Sequence, residues 1–327
     1  MAQLHFTFQD ISSLEFNKII WIAAPIMFSF VLIEYLVGRK KKKKLYSGKD
    51  FLASSAVGFG NLLLNGLIKT GIFVVFLFFF NLAPFRIPHT WWSYLVCFVL
   101  LDFCRYWAHR LAHEQRFWWS THVVHHSSEH YNLSVSFRLS WTQNLKIIFF
   151  LPVVLMGFHP LVFFIAHQTA VLYQFWIHTE LIRKLPRPIE YIFTTPSHHR
   201  VHHAKNEKYL DKNYGSTFII WDRLFGTFQP EEEQAEYGIT KPVNSFNPVY
   251  LVFHAWMDLA KDVSKAKSIK EAFRMMFGSP VEASKAELEQ LKAEAKIAGE
   301  EMELAVESAP VEKESPAEKE MAIAGEH

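Results

Sequence analysis

WWSYLVCFVLLDFCRYWAHRLAHEQRFWWSTHVVHH, residues 91–126, joins two patterns in one stretch. Its first half, Trp91 to Trp107, is an apolar run with aromatic residues at both ends, the composition of a helix whose termini sit at membrane–water interfaces. Its second half places His109 and His113 four residues apart, then His122, His125 and His126 as HxxHH. Residues three and four apart share a helix face, so each box is expected to aim its imidazoles at a common point. Imidazole is the commonest side-chain metal ligand and suits Fe, Zn, Cu and Ni. The stretch reads as a membrane helix that delivers metal ligands at its mouth.

Outward from it the pattern repeats. PSHHRVHH (196–203) contains His199, His202 and His203 in the same HxxHH spacing, with His198 as an extra member, and His178 ends the apolar stretch Leu145–His178. Ten of the 17 histidines lie in these places. So many convergent imidazoles exceed the four ligands of a tetrahedral zinc site, which makes two metal ions the economical reading. Neither HExxH nor CxxCH is present; Glu114 follows His113, but position 117 is Phe. The carboxylates that dominate Glu-rich di-iron bundles are missing from the boxes. His5, His89, His130, His159, His254 and His327 read as bystanders. His167 precedes His178 by 11 residues, about 16 Å along a continuous helix. It is therefore excluded from the same ligand set and reads as a core histidine or part of a substrate path.

The chain carries a membrane anchor ahead of this region. Phe16–Gly38 is long enough to span a bilayer and ends in the basic run Arg39–Lys44. Basic residues beside a span mark its cytoplasmic end, so the run reads as a topology signal and not as a nucleic-acid patch. Phe51–Phe80 is too long for one upright span and is expected to tilt, kink or begin as an interfacial segment. Leu145–His178, interrupted near Gly157–Pro160, fits a two-helix hairpin that enters and leaves by one face. Counting crossings gives about four spans, with every histidine box on the cytoplasmic side. Asp102 and Arg105 are expected to pair, because an intramembrane charge is costly alone. Phe76–Phe80 is expected to face lipid, and Asn247–Val263 to form an amphipathic surface helix.

Average composition hides this division. The 327 residues carry a net charge of +2, with 50% hydrophobic and 16% aromatic residues. Residues 281–327 hold 13 Glu and 5 Lys, a charge of −8, which leaves the remainder at +10. That tail is expected to be helical at most over Val281–Ile297 and otherwise disordered. Only two cysteines are present, Cys97 and Cys104, and both lie in an apolar run, which excludes a disulfide scaffold. The expected architecture is all-α: an N-terminal transmembrane region (1–90), a catalytic domain (91–260) with a cytosolic histidine-rich di-metal cap, and an amphipathic, charged tail (261–327).

The stretches AHRLAHE (108–114), HHSSEHYNLS (125–134), LYQFWIHTE (172–180), TPSHHRVHHAKN (195–206), LDKNYGS (210–216) and IIWDRLFGTF (219–228) resemble the fatty acid hydroxylase/sterol desaturase superfamily of membrane di-iron oxygenases. Within it they are most similar to the ether-lipid, alkylglycerol monooxygenase-like members. The resemblance covers about 140 residues, Trp91–Pro230. It implies metal-ligand roles for His109, His113, His122, His125, His126, His178, His199, His202 and His203, with His198 as a neighbour of the ligands. Glu114 resembles a functionally required acid of the ether-lipid enzymes; a surface pairing with Arg110 is the alternative. Fatty acid 2-hydroxylases carry a second histidine as HxxxH in the middle helix, whereas Gln174 and Ile182 flank His178 here at that spacing. That departure weakens a 2-hydroxylase reading and leaves Gln174 as a residue near the metals. Asp211, Asn213, Asp222 and Arg223 are candidates for orienting the ligand rings through their second nitrogen.

The implied reaction is O2-dependent oxidation of a lipid C–H bond, at the ether-adjacent carbon if the subgroup holds. Two Fe ions are implied, although ligand type alone also admits Zn. The partners are a membrane lipid, O2 and an external electron donor, either a tetrahydropterin or a separate electron-transfer protein. No GxGxxG or cytochrome b5-like pattern occurs in the chain. Alternatives are a sterol desaturase or sterol-methyl oxidase, a bacterial polar-lipid hydroxylase and, from another class, a zinc-binding membrane hydrolase.

Overall fold

The computed structural model describes residues 18–283, together with Thr7 and Lys296. Residues 1–280 form one compact unit and residues 281–327 a second. The expectation for the charged tail lies outside the described residues from position 284 onward, Lys296 excepted.

Two long apolar helices open the chain, separated by the basic run. α1 (Lys18–Lys40) ends in Arg39 and Lys40, cations that suit the negative end of the helix dipole. α2 (Gly48–Leu82) runs unbroken for 35 residues, about 52 Å at 1.5 Å per residue. Its internal glycines do not interrupt it. Gly60 instead admits Trp141, whose ring would stand 2.4 Å from an added Cβ. Ile22–Lys40 and Gly48–Ile68 are the two helices among the described residues that are long and apolar enough to cross a membrane.

α3 (Trp91–Glu114) carries the first histidine box in its last two turns. The short helices α4 (Arg116–Ser120) and α5 (Val123–His126) follow, and α5 bears the second box. After the 3₁₀ turn Leu133–Phe137, the expected hairpin has unequal arms. The first is a 3₁₀ segment, Gln143–Phe150, continued by α6 (Leu151–Leu155); the second is α7 (Pro160–Trp176). Gly157 makes the bend at φ +75°, a conformation that favours glycine, and any Cβ there would meet Phe85 O at 2.1 Å. α8 (Arg187–Ile192), α9 (Pro196–His202, with the third box) and α10 (Ile220–Phe225) follow as short helices. α11 (Pro248–Val263) and α12 (Ile269–Phe277) are amphipathic, as the Asn247–Val263 pattern indicated. Among the described residues the only β pairing is three isolated bridges, so the fold is all-helical.

Two expectations are corrected by packing. Phe76 and Phe80 do not face outward: they are 3% and 0% exposed, and Phe76 packs on Phe163 and Phe164 at ring distances of 5.0 and 4.9 Å. Only Phe78 of that run is widely exposed, because a helix turns successive residues by about 100° and one apolar run serves both core and exterior. Asp102 and Arg105 do not pair with each other. Asp102 accepts from Thr217 N (2.9 Å), Phe218 N (3.1 Å) and Trp221 Nε1 (3.0 Å). Arg105 donates through Nη2 to the His167 carbonyl at 3.2 Å. Three N–H donors satisfy the buried carboxylate, which pins the loop after Tyr214 against α3.

Candidate metal centre

The nine box histidines divide into two groups. His109, His113, His122, His126 and His202 form one; His125, His178, His199 and His203 form the other. In each, the facing nitrogens all lie within 4.8 Å of one another. The division corrects the expectation that each HxxHH box aims at one point. The i,i+4 pairs His109/His113, His122/His126 and His199/His203 stay together, but His125 and His202, each three residues after a box's first histidine, cross to the other group. Positions i+3 and i+4 lie about 100° apart around a helix, so one box reaches both sides.

Backbone carbonyls set the tautomers. His109 Nδ1 donates to Tyr214 O (2.8 Å), His178 Nδ1 to Gln174 O (2.6 Å) and His202 Nδ1 to Lys212 O (3.0 Å). A carbonyl only accepts, so Nδ1 carries the proton in each ring and Nε2 presents a lone pair. These Nε2 atoms meet other ring nitrogens closely. His109 Nε2 lies 2.9 Å from His122 Nε2, and His122 Nε2 lies 3.2 Å from His126 Nε2. His178 Nε2 lies 3.1 Å from His125 Nε2 and 2.9 Å from His199 Nε2, which is 3.2 Å from His203 Nε2. Nitrogens bound about 2.1 Å from one ion at right-angle to tetrahedral spacing stand about 3.0–3.4 Å apart. The Nε2 atoms of His113 and His202 are also buried without a hydrogen-bond partner. Lone pairs gathered at ligand spacing, with orphaned nitrogens among them, fit one metal ion in each group.

The rings are held neutral, the form that binds metal. Burial, then the neighbouring histidines, pushes His126, His199 and His203 well below the usual imidazole range. His122 is lowered by burial and next by the charge of Lys146. Burial brings His202 from 6.5 down to about 4. The unfolded chain therefore binds protons that the folded one refuses. Metal-free protein is expected to be most stable above pH 6.5 and to weaken as pH falls toward about 4, which thermal unfolding after chelation would show. A flat profile over that window would contradict the buried, neutral rings.

The other candidates fall outside the two groups. Glu114 is 38% exposed and pairs with Arg110 at 2.8 Å; it lies near Asp211, whose carboxyl burial and then Glu114 raise to about 6. Asp211 itself stands 3.9 Å from His113 Nδ1. His198 turns away and meets Glu190 at 3.0 Å. Burial opposes the charge on Glu190, but bonds from His198, Leu185, Ser197 and Thr195 hold its carboxyl at about 2. Gln174 bonds Ser216 Oγ at 2.8 Å through its amide, and only its carbonyl serves His178. Asp222 touches no ligand ring. It accepts from Tyr214 N (2.8 Å) and Gly215 N (2.7 Å), fixing the peptide segment whose Tyr214 carbonyl orients His109. Asn213 holds the His198 carbonyl, and Arg223 bonds the carbonyls of Tyr191 and Glu190. His254 donates to Leu251 O, and His89 stacks on His159, both away from the groups.

Three supports were not legible in the motifs. Tyr131 lies against His203 (5.2 Å) and donates to Ile177 O beside His178. Arg200, within the third box, grips Glu231 at 2.6 and 2.7 Å and the carbonyls of Thr179 and Ile182. Asp102 clamps the loop after Tyr214 from α3. A charge embedded in an apolar run was the one signal for Asp102.

Comparison with known proteins agrees with this site. The fatty acid hydroxylase family matches residues 94–227, which include every histidine of both groups. The chain is 44% identical over 202 residues to alkylglycerol monooxygenase of Homo sapiens, covering 62% of this chain and 44% of that protein. It is 41% identical over 239 residues to alkylglycerol monooxygenase of Danio rerio, covering 71% and 52%. Ornithine lipid hydroxylase of Rhizobium tropici is 33% identical over 149 residues, covering 44% and 45%. The chain thus spans about half the length of the curated relatives it matches. No solved structure matches it. The histidine-bearing segment 94–227 is what this chain shares with the fatty acid hydroxylase family.

Proposed function

We propose that the protein is an O2-dependent di-iron lipid monooxygenase that hydroxylates the ether-adjacent carbon of alkylglycerol lipids. The observation that carries this is the pair of imidazole groups with lone pairs at ligand spacing, inside a segment similar to alkylglycerol monooxygenases. When bound, two iron ions supply the reduction of O2 and the oxidation of an unactivated C–H bond. In balance, the lipid C–H, O2, two electrons and two protons give C–OH and water. The electrons come from a tetrahydropterin or a separate electron-transfer protein. Hydroxylation beside the ether oxygen makes a hemiacetal, whose C–O bond breaks to give fatty aldehyde and glycerol.

The chain's own residues hold the imidazoles neutral and aligned, through the carbonyls of Tyr214, Gln174 and Lys212. Burial of both groups keeps water from the reacting carbon. Glu114, restrained by Arg110, is an acid at the rim. In this reading residues 1–90 anchor the enzyme, 91–260 form the catalytic domain, and about four spans place the histidines on the cytoplasmic side. The unequal hairpin and α3 supply the spans beyond α1 and α2.

The test is metal analysis of anaerobically purified protein, followed by O2 uptake with alkylglycerol, sterol and acyl lipids plus tetrahydropterin. About two irons per chain and fatty aldehyde release from alkylglycerol are expected. Iron-loaded protein that consumes no O2 on any of these lipids would overturn the proposal, and zinc with hydrolysis would replace it.

A further inference from the structure

His178 is the one member of the two groups that no helix places. His109 and His113 lie in α3, His125 and His126 in α5, and His199 and His202 in α9, while His122 and His203 cap the ends of α5 and α9. His178 stands beyond Ile177, the residue that caps α7, and its amide reaches Phe175 O at 3.3 Å. Past a helix end the intrahelical bonds no longer fix the backbone, so partners from elsewhere must. Tyr131, on Ile177 O, and Arg200, on the carbonyls of Thr179 and Ile182, are two such partners.

A third comes from the first apolar helix. Glu34, in the last two turns of α1, accepts from the Thr179 hydroxyl through Oε1. Through Oε2 it accepts from the Tyr46 hydroxyl and from Leu133 N, the latter at 2.8 Å. Thr179 Oγ1 itself accepts from Leu181 N at 3.1 Å, which directs its hydroxyl proton to the carboxylate. Glu34 is 3% exposed, whereas Leu32, Ile33, Tyr35 and Leu36 around it are between 41% and 57% exposed. The helix thus turns its single acid inward and its apolar neighbours outward. An acid in a spanning helix is costly and marks a functional role by default. The loop after α1 reaches the same region: Lys43 lies 3.9 Å from Glu180, and Asn132 Nδ2 donates to Leu45 O at 2.7 Å.

We propose that Glu34 is a positioning residue for the metal centre: from α1 it fixes the Thr179 hydroxyl, and with it the direction of the His178 ring into the group of four. α1 is then part of the metal-binding framework as well as an anchor. The assignment rests on the metal-binding part of the reading above and on none of its oxygen chemistry.

The test is zinc binding by the full chain in nanodiscs, titrated against a chelator, with cobalt absorption reporting coordination at each site. Removing a group that orients a ligand costs about 10–100-fold in metal affinity. Glu34→Leu is expected to weaken one of the two ions by that factor and to leave the other at its wild-type affinity. Thr179→Val, nearly the same shape, should do the same, and the double variant should add little, because both changes break one link. Glu34→Gln recovers most of the affinity: its amide oxygen accepts from Tyr46 and Leu133 N, and its NH2 donates to Thr179 Oγ1. Tyr46→Phe keeps the Thr179 bond and leaves both ions unchanged, which separates aiming of the ring from the general stability of α1. Wild-type affinity for both ions in Thr179→Val, equal weakening of both ions, or additive losses in the double variant would overturn the assignment. Fewer than two ions in the wild type would overturn it as well. Zinc binding that follows this pattern, in protein whose iron-loaded form oxidises no lipid, would fail the monooxygenase reading alone.

Discussion

Replacement of His178 by alanine is expected to lower bound iron from about two ions per chain to about one and to reduce lipid oxidation below about a hundredth. His178 belongs to the group of four, and its Nε2 touches both His125 and His199, so its loss leaves three ligands, too few to close a four-coordinate site. Groups that merely orient a ligand typically cost 10–100-fold when removed, and a ligand itself costs at least as much. His109→Ala should abolish turnover but retain more metal, because four histidines remain in its group. His254→Ala, a buried histidine bonded to Leu251, should change neither quantity. Metal analysis and turnover of the three anaerobically purified variants decide the matter. Two irons and normal turnover in His178→Ala would refute the division into two groups.

A second large effect is expected away from the metals. Asp50 in the first turn of α2 accepts from Arg138 Nη1 at 3.1 Å and from Ser128 Oγ at 2.8 Å, and residues 50 and 138 are 4% and 1% exposed. Asp50→Ala strands a guanidinium in the interior, at a cost of about 3–5 kcal/mol. Arg138→Met in that background removes the stranded charge and should recover most of the loss. Thermal unfolding of the wild type and these variants in one detergent checks both statements. If Asp50→Ala unfolds with the wild type, the pair contributes nothing. The consequence reaches the site because Ser128 follows the second box by two residues, so the pair ties that box to α2.

The histidines that form the two groups were legible because their signal is local. HxxxH and HxxHH place imidazoles by helix periodicity alone, and three such boxes with His178 in a largely apolar chain define both the chemistry and the family resemblance. The helical character of the long apolar runs followed in the same way. What was illegible depends on partners distant in the chain. Asp102 looked like the mate of Arg105, three residues away, yet it bonds groups 115 to 119 residues distant. Phe76 and Phe80 looked lipid-facing because an apolar run reads alike on every face; α7 buries them. Asp222 looked like a ring-orienting carboxylate and instead fixes the backbone that does the orienting.

The sequence by itself determined that histidines would gather, how many, and on which helices, since spacing along a helix dictates direction. Only the tertiary structure decided their division into five and four. Residues i+3 and i+4 of one box point about 100° apart, and the packing of α3, α5, α9 and the end of α7 around them selects which ring joins which group.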